Sequence, residues 1–88
     1  MTMIRINKDC EFKRVDEKSL ILEPKSGIFY KLNQAGTLIV ELIINNNSKD
    51  QIVKKLSKEF KDVSEERILK DLNEYEEEMK KFGIVEDG

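Results

Sequence analysis

The side chains able to do chemistry in this sequence are few. A single thiol, Cys10, has no His anywhere in the chain to take its proton and no second Cys with which to pair or share a metal. A lone thiol of that kind is a poor nucleophile, zinc ligand or disulfide partner, so Cys10 reads as a packing or surface residue of the N-terminal segment. The lack of His also removes the usual general base near neutral pH and the commonest metal ligand. What remains is a crowd of carboxylates: Asp71, Glu74, Glu76, Glu77 and Glu78. Such density could hold a hard cation or raise one carboxyl's pKa. Spread at helical spacing and balanced by Lys70, Lys80 and Lys81, however, these acids make an open solvated face and not the compact loop of a calcium site. Glycine-rich phosphate loops, the HExxH zinc pattern and the GxSxG nucleophile turn do not occur. The sequence therefore predicts a protein that is not an enzyme, with no catalytic residue, no metal site and no cofactor.

The elements that must position any binding surface come from one small domain. The chain has 88 residues, 39% of them charged and 39% hydrophobic, with a formal net charge of −2. That composition suits a surface-rich globular fold with one modest core. It exerts no global pull on nucleic acid or anionic lipid. Residues 1–88 are expected to form a single domain whose first ten residues are poorly ordered. Neither a secretory signal nor an apolar stretch long enough to span a bilayer is visible, so a cytoplasmic location is expected.

The front third alternates like strands, and the remainder has helical periodicity. Phe12 and Val15 flank a short basic stretch readable as a first strand, and Leu20, Ile21 and Leu22 form a second of stronger β character. Glu23-Pro24-Lys25-Ser26-Gly27 supplies a turn, with Gly27 able to take positive φ. Ile28, Phe29, Tyr30, Lys31 and Leu32 return as a third strand, with Ile28, Tyr30 and Leu32 on one face and Phe29 and Lys31 on the other. Asn33, Ser48 and Ser64 are well placed as helix N-caps, Ser48 with Gln51 forming a capping box. Three helices are predicted at about 34–45, 49–61 and 65–82, the last ended by Gly83. Their apolar stripes are Leu38, Ile39, Leu42 and Ile43; Ile52, Val53, Leu56 and Phe60; and Ile68, Leu72, Tyr75, Met79 and Phe82. The fold class is α+β, a three-stranded antiparallel sheet at about 12–32 followed by three α-helices, the element list of a winged helix-turn-helix domain.

That architecture serves two kinds of partner. As a DNA reader, the third helix would bring four basic side chains against seven acidic ones, a local charge of −3, and phosphates would repel it. The second helix carries five lysines against two acids but lacks Arg and interleaved aromatics, so a small winged-helix regulator stands as the alternative and a scaffolding subunit as a third. As a peptide binder, the strand at 28–32 would offer an unpaired edge to an incoming extended chain, with the third helix walling a groove beside it. Leu69 sits one position off the Ile68 seam. It either lines that groove with Leu72, Asn73 and Glu76 or widens the core face.

Tyr30-Lys31-Leu32-Asn33-Gln34-Ala35-Gly36 followed by Leu38-Ile39-Val40-Glu41-Leu42 resembles the LN-x-x-(G/A)-x-x-I-x-x-L signature of the pyrroloquinoline quinone biosynthesis protein D family. Residues 48–60 resemble that family's second helix, and the tail Phe82-Gly83-Ile84-Val85 resembles its ending. Where the family often places a Gly turn after the first helix, this chain has Asn45-Asn46-Asn47, and Asn adopts the same left-handed conformation. The resemblance implies a recognition element for ribosomally made, post-translationally modified peptides. Such domains bind the leader segment of a precursor peptide as an added strand and bring it to a modifying enzyme, such as a radical enzyme, a leader protease or a lasso-forming cyclase, and not to nucleic acid or membrane. Carried onto this sequence, the peptide-binding residues are Ile28, Phe29, Tyr30, Lys31 and Leu32 on the strand and Leu69, Leu72, Asn73, Glu76, Met79 and Lys80 on the helix. Asn33 and Gly36 are expected to be structural.

Overall fold

The computed structural model describes residues 4–87. Its elements run β1 (Ile4–Ile6), β2 (Glu11–Val15), β3 (Lys18–Glu23), β4 (Ile28–Leu32), α1 (Gln34–Ile44), α2 (Lys49–Glu59), α3 (Glu65–Lys81) and β5 (Val85–Asp87). The expected three-stranded sheet followed by three helices is present.

The main sheet is a meander ordered β2-β3-β4, antiparallel throughout. Asp16, at φ 58°, makes the tight connection between β2 and β3, and its carbonyl accepts from the Arg14 side chain at 2.6 Å. Between β3 and β4 the chain turns at Gly27, φ 72°, as its position after Pro24 predicts. Glu23, almost wholly buried, caps that turn: its carboxylate accepts from the Ser26 hydroxyl at 2.5 Å and from the backbone N–H groups of Ser26 and Lys25 at 2.7 and 3.2 Å. These bonds hold its carboxyl below the usual carboxylate range, the Ser26 hydroxyl contributing most.

Each helix begins at the cap its sequence supplies. Asn33 accepts from the Gly36 N–H, Ser48 forms the full capping box with Gln51, and Ser64 accepts from the Arg67 N–H. Asn46 takes φ 65° in the turn after α1, the conformation expected of the Asn run. In α1 the buried stripe is Ile39, Val40 and Ile43, with Leu38 and Leu42 half-buried. The stripe is turned by about one residue from the expected one because α1 is packed on several sides, touching β1, β3, β4 and α2. A buried hydrogen bond of 2.7 Å between the Ser19 and Thr37 hydroxyls ties it to β3.

One feature departs from the sequence-based expectation. From Ile4 onward the N-terminal segment is structured, where residues 1–10 were expected to be poorly ordered; residues 1–3 lie outside the described residues. β1 pairs antiparallel with β5 in a separate two-stranded ribbon, Ile4 opposite Asp87 and Ile6 opposite Val85. Asn7 extends the ribbon, its N–H donating to the Ile84 carbonyl at 2.7 Å. Ile4, Ile84 and Val85 are buried, so β1 and the segment leading into β5 jointly close this side of the core. Ordering the segment is favoured because burying a side chain such as that of Ile4 contributes about 1.5–3 kcal/mol. No helix among the described residues is long and apolar enough to cross a membrane.

Candidate functional site

The strand expected to take an added peptide is β4. It pairs with β3 on one side, in the register Ile21 opposite Tyr30 and Glu23 opposite Ile28, and no described strand pairs with its other side. A sheet edge of this kind presents unused N–H and C=O groups at alternate residues. Its side chains divide as alternation requires. Leu32 is buried and Ile28 and Tyr30 half-buried on the inner face, whereas Phe29, 63% exposed, and Lys31 point outward.

Helix α3 meets β4 through long side chains. The Tyr30 and Phe82 rings lie 5.8 Å apart between centroids. The Tyr30 phenol sits well above its ordinary pKa, first because it is withdrawn from water and next because the Glu78 carboxylate is beside it. Further along, the Tyr75 hydroxyl donates to Asn33 Oδ1 at 3.1 Å, and burial raises that phenol as well. The edge of the Tyr75 ring packs over Gly36, where a Cβ would lie 3.3 Å from it. Asp71, Tyr75, Glu78 and Phe82 recur at intervals of four, three and four, so they form one flank of α3, and Tyr75, Glu78 and Phe82 meet β4 and the residue that follows it.

Next to this flank opens a groove of about 420 Å³, bounded by the first half of α1, the end of α2 and α3 from Ile68 to Glu78. Ile39, Leu56, Phe60, Val63 and Ile68 make its floor, and Asn33, Asp71, Glu74, Tyr75 and Glu78 line its polar part. Asn33 belongs to both features, ending β4 and bordering the groove.

None of the six helix positions expected to wall a groove beside β4 lines this one. Leu72 and Met79 are fully buried and serve the core. Glu76, also buried, pairs with Lys49 at 2.6 Å and with Lys80 at 3.3 Å, while Asn73 accepts from the same Lys49 ammonium at 2.8 Å. Glu76 and Asn73 thus tie α3 to the start of α2. Leu69, 43% exposed, shares a shallow depression on the outer side of α3 with Asn73, Glu66 and Glu77. The five strand residues are together at the sheet edge. The flank of α3 that meets them carries Tyr75 and Phe82, which periodicity assigned to the core seam, and Glu78, which it assigned to the solvated face. Tyr75 and Phe82 are only half-buried. The aromatic rings of both, and the hydroxyl of Tyr75, are the signal that separates them from the non-aromatic Ile68, Leu72 and Met79 of the same stripe.

Cys10 is half-buried against the core, and burial, followed by the charges of Glu23, Asp9 and Glu86, pushes its thiol up in pKa. Such a thiol is a weak nucleophile. No three His, Cys, Asp or Glu side chains among the described residues converge as metal ligands would.

A three-stranded meander followed by three helices is the frame on which one known family matches most of the chain. The model of coenzyme PQQ synthesis protein D (PqqD) fits residues 18–85. The chain belongs to the PqqD family. Two solved structures share the fold of this PqqD-family chain nearly end to end. One is TbiB1 in complex with the TbiA(beta) leader peptide, with a TM-score of 0.88, 18% identity, and coverage of 93% of this chain and 94% of that one. The other is a lasso peptide synthetase B1 complexed with the leader peptide, with a TM-score of 0.85, 20% identity, and coverage of 94% and 96%. At these identities the likeness concerns the fold. A comparison with curated proteins finds no match.

Proposed function

We propose that this PqqD-family protein is a non-enzymatic capture module for the leader segment of a ribosomally made precursor peptide. The leader adds as a strand to the outer edge of β4, beside the Tyr75, Glu78 and Phe82 flank of α3. The observation that carries this reading is the position of β4, an edge strand with Phe29 and Lys31 exposed, next to a helix flank that is aromatic and not fully buried. Backbone pairing supplies affinity in such a mode, and pockets for alternate side chains supply specificity. Both fold relatives named above are complexes with leader peptides, which favours a leader peptide as the ligand here.

Capture assists chemistry without performing it. Holding the leader keeps the rest of the precursor at an effective concentration in about the millimolar range near a bound modifying enzyme. The weakly nucleophilic Cys10 is consistent with a carrier and not a catalyst. A DNA-binding role is disfavoured by α3, whose exposed acids would face phosphates.

The decisive experiment is an amide NMR titration with peptides translated from short reading frames adjoining the gene. Saturable shifts at residues 28–32 and at Tyr75, Glu78 and Phe82 are expected. Shifts confined to Lys54, Lys55 and Lys58 on adding duplex DNA, with no response to any peptide, would sink the proposal.

A further inference from the structure

The groove beyond the end of β4 is apolar inside and acidic at its polar part. Phe60 and Val63 lie in its floor, Asp71, Glu74 and Glu78 line it, the Tyr75 hydroxyl stands among them, and no Lys or Arg side chain takes part in the lining. The charges are only weakly compensated. Asp71 meets Arg67 at 3.4 Å in an exposed i,i+4 pair, which contributes little, and Glu74 makes no ion pair among the described residues. A peptide strand added along β4 and running past Leu32 would pass Asn33, which closes the strand and borders the groove. Its next residues would therefore lie over this groove.

We infer that the groove selects a leader segment carrying a large apolar side chain flanked by Lys or Arg, the apolar group entering the floor between α1, α2 and α3 and the cation lying on Asp71, Glu74 and Glu78. The inference rests on the peptide-capture reading and specifies its ligand chemistry. The physical argument is complementarity. A volume of about 420 Å³ accommodates a Leu- to Tyr-sized side chain, whereas an acidic flank would meet three carboxylates with no cation in the lining, and like charges held close cost several kcal/mol across an interface. Long basic side chains suit the site further, because their methylene stems lie along apolar surface while the charge stays at the rim.

A random peptide library selected against the immobilised full chain tests this without knowledge of the natural precursor. The expected outcome is enrichment of peptides with Lys or Arg adjacent to a large apolar residue. Their binding should weaken about threefold to tenfold in the Asp71→Asn/Glu74→Gln double variant and fall in about 1 M salt, where the Debye length is about 3 Å. Circular dichroism of that variant confirms that it folds. Enriched peptides with neutral or acidic flanks that still shift residues 28–32 would overturn the inference and leave strand capture standing. Acidic peptides that shift Lys54, Lys55 and Lys58 instead would overturn it in favour of the basic face of α2. Failure to enrich any peptide would count against strand capture itself, and the inference would fall with it.

Discussion

The hydroxyl of Tyr75 donates to Oδ1 of Asn33 at 3.1 Å, the same oxygen that accepts the Gly36 N–H at 2.9 Å and caps α1. One side-chain atom thus ends β4, starts α1 and fixes the helix flank of the candidate site. Asn33→Ala removes both bonds and is expected to cost about 1–2 kcal/mol, which for a domain this size lowers Tm by roughly 4–8 °C per kcal/mol. Tyr75→Phe loses one partly exposed bond, worth about 0.5–1 kcal/mol. Asn33→Asp keeps the acceptor and is expected to lie close to the parent. Thermal melts of the three variants check the ranking, and equal losses for Asn33→Ala and Tyr75→Phe would show that the cap itself adds little.

Gly36 is the second fixed point of this corner. A Cβ there would sit 2.9 Å from Leu32 Cδ2 and 3.3 Å from two Tyr75 ring atoms. In an open helix Gly→Ala stabilises by about 1 kcal/mol. Leu32 is buried, however, and Tyr75 is held by Asn33, so neither yields easily, and overpacking costs about 1–3 kcal/mol. Gly36→Ala is therefore expected to destabilise the domain and displace Tyr75. In a Tyr75→Ala background the same change should cost less, because only the Leu32 contact remains. Chemical denaturation of the double-mutant cycle measures the coupling, and additive effects would rule it out.

How far the sequence alone could carry the argument follows from the range of the forces involved. The caps at Asn33, Ser48 and Ser64, and the positive φ at Gly27, were legible because each is a bond or a steric permission within a few residues. The edge position of β4 was legible as a possibility, since a meander of three strands must leave two edges. The β1–β5 ribbon was not, because three-residue strands at opposite ends of the chain have almost no local signature and are paired only by tertiary burial of Ile4, Ile84 and Val85. Which flank of α3 faces β4 was not legible for a similar reason. Periodicity locates the apolar stripe of α3 but is blind to which flank of that stripe turns toward β4. Leu69 read equally as the edge of a groove or as a wider core face, and it lies 43% exposed beside Glu66, Asn73 and Glu77.

Peptide binding can separate those two flanks directly. Glu78→Lys and Phe82→Ala alter the flank that meets Tyr30, and each is expected to weaken capture of a selected peptide about tenfold or more. Leu69→Ser, on the far side, should change it less than about twofold, because a contact outside the interface contributes almost nothing. Fluorescence anisotropy with one labelled peptide is sufficient. Loss on Leu69→Ser with Glu78→Lys unaffected would move the site to the opposite face of α3.

The turn that delivers β4 to the edge has its own pH dependence. The Glu23 carboxyl is lowered in the fold from its ordinary value of 4.5, chiefly by the Ser26 hydroxyl and then by the Ser26 N–H. A carboxyl whose folded pKa is depressed binds fewer protons when folded than when unfolded. Its contribution is therefore complete above the ordinary value and is lost as the pH falls through the folded pKa. Glu23→Gln should accordingly be less stable than the parent at about pH 7, with the gap narrowing as both are acidified below about pH 4. Denaturation midpoints across that range test it. Because Gly27 donates to the Glu23 carbonyl at 2.9 Å and Ile28 pairs with Glu23 in the ladder, loosening this turn also unsettles the first residue of β4, the proposed binding strand. Peptide affinity is expected to fall together with the stability contribution of Glu23; an unchanged gap between parent and Glu23→Gln from neutral to acidic pH would show that the carboxylate's charge plays no part in holding the turn.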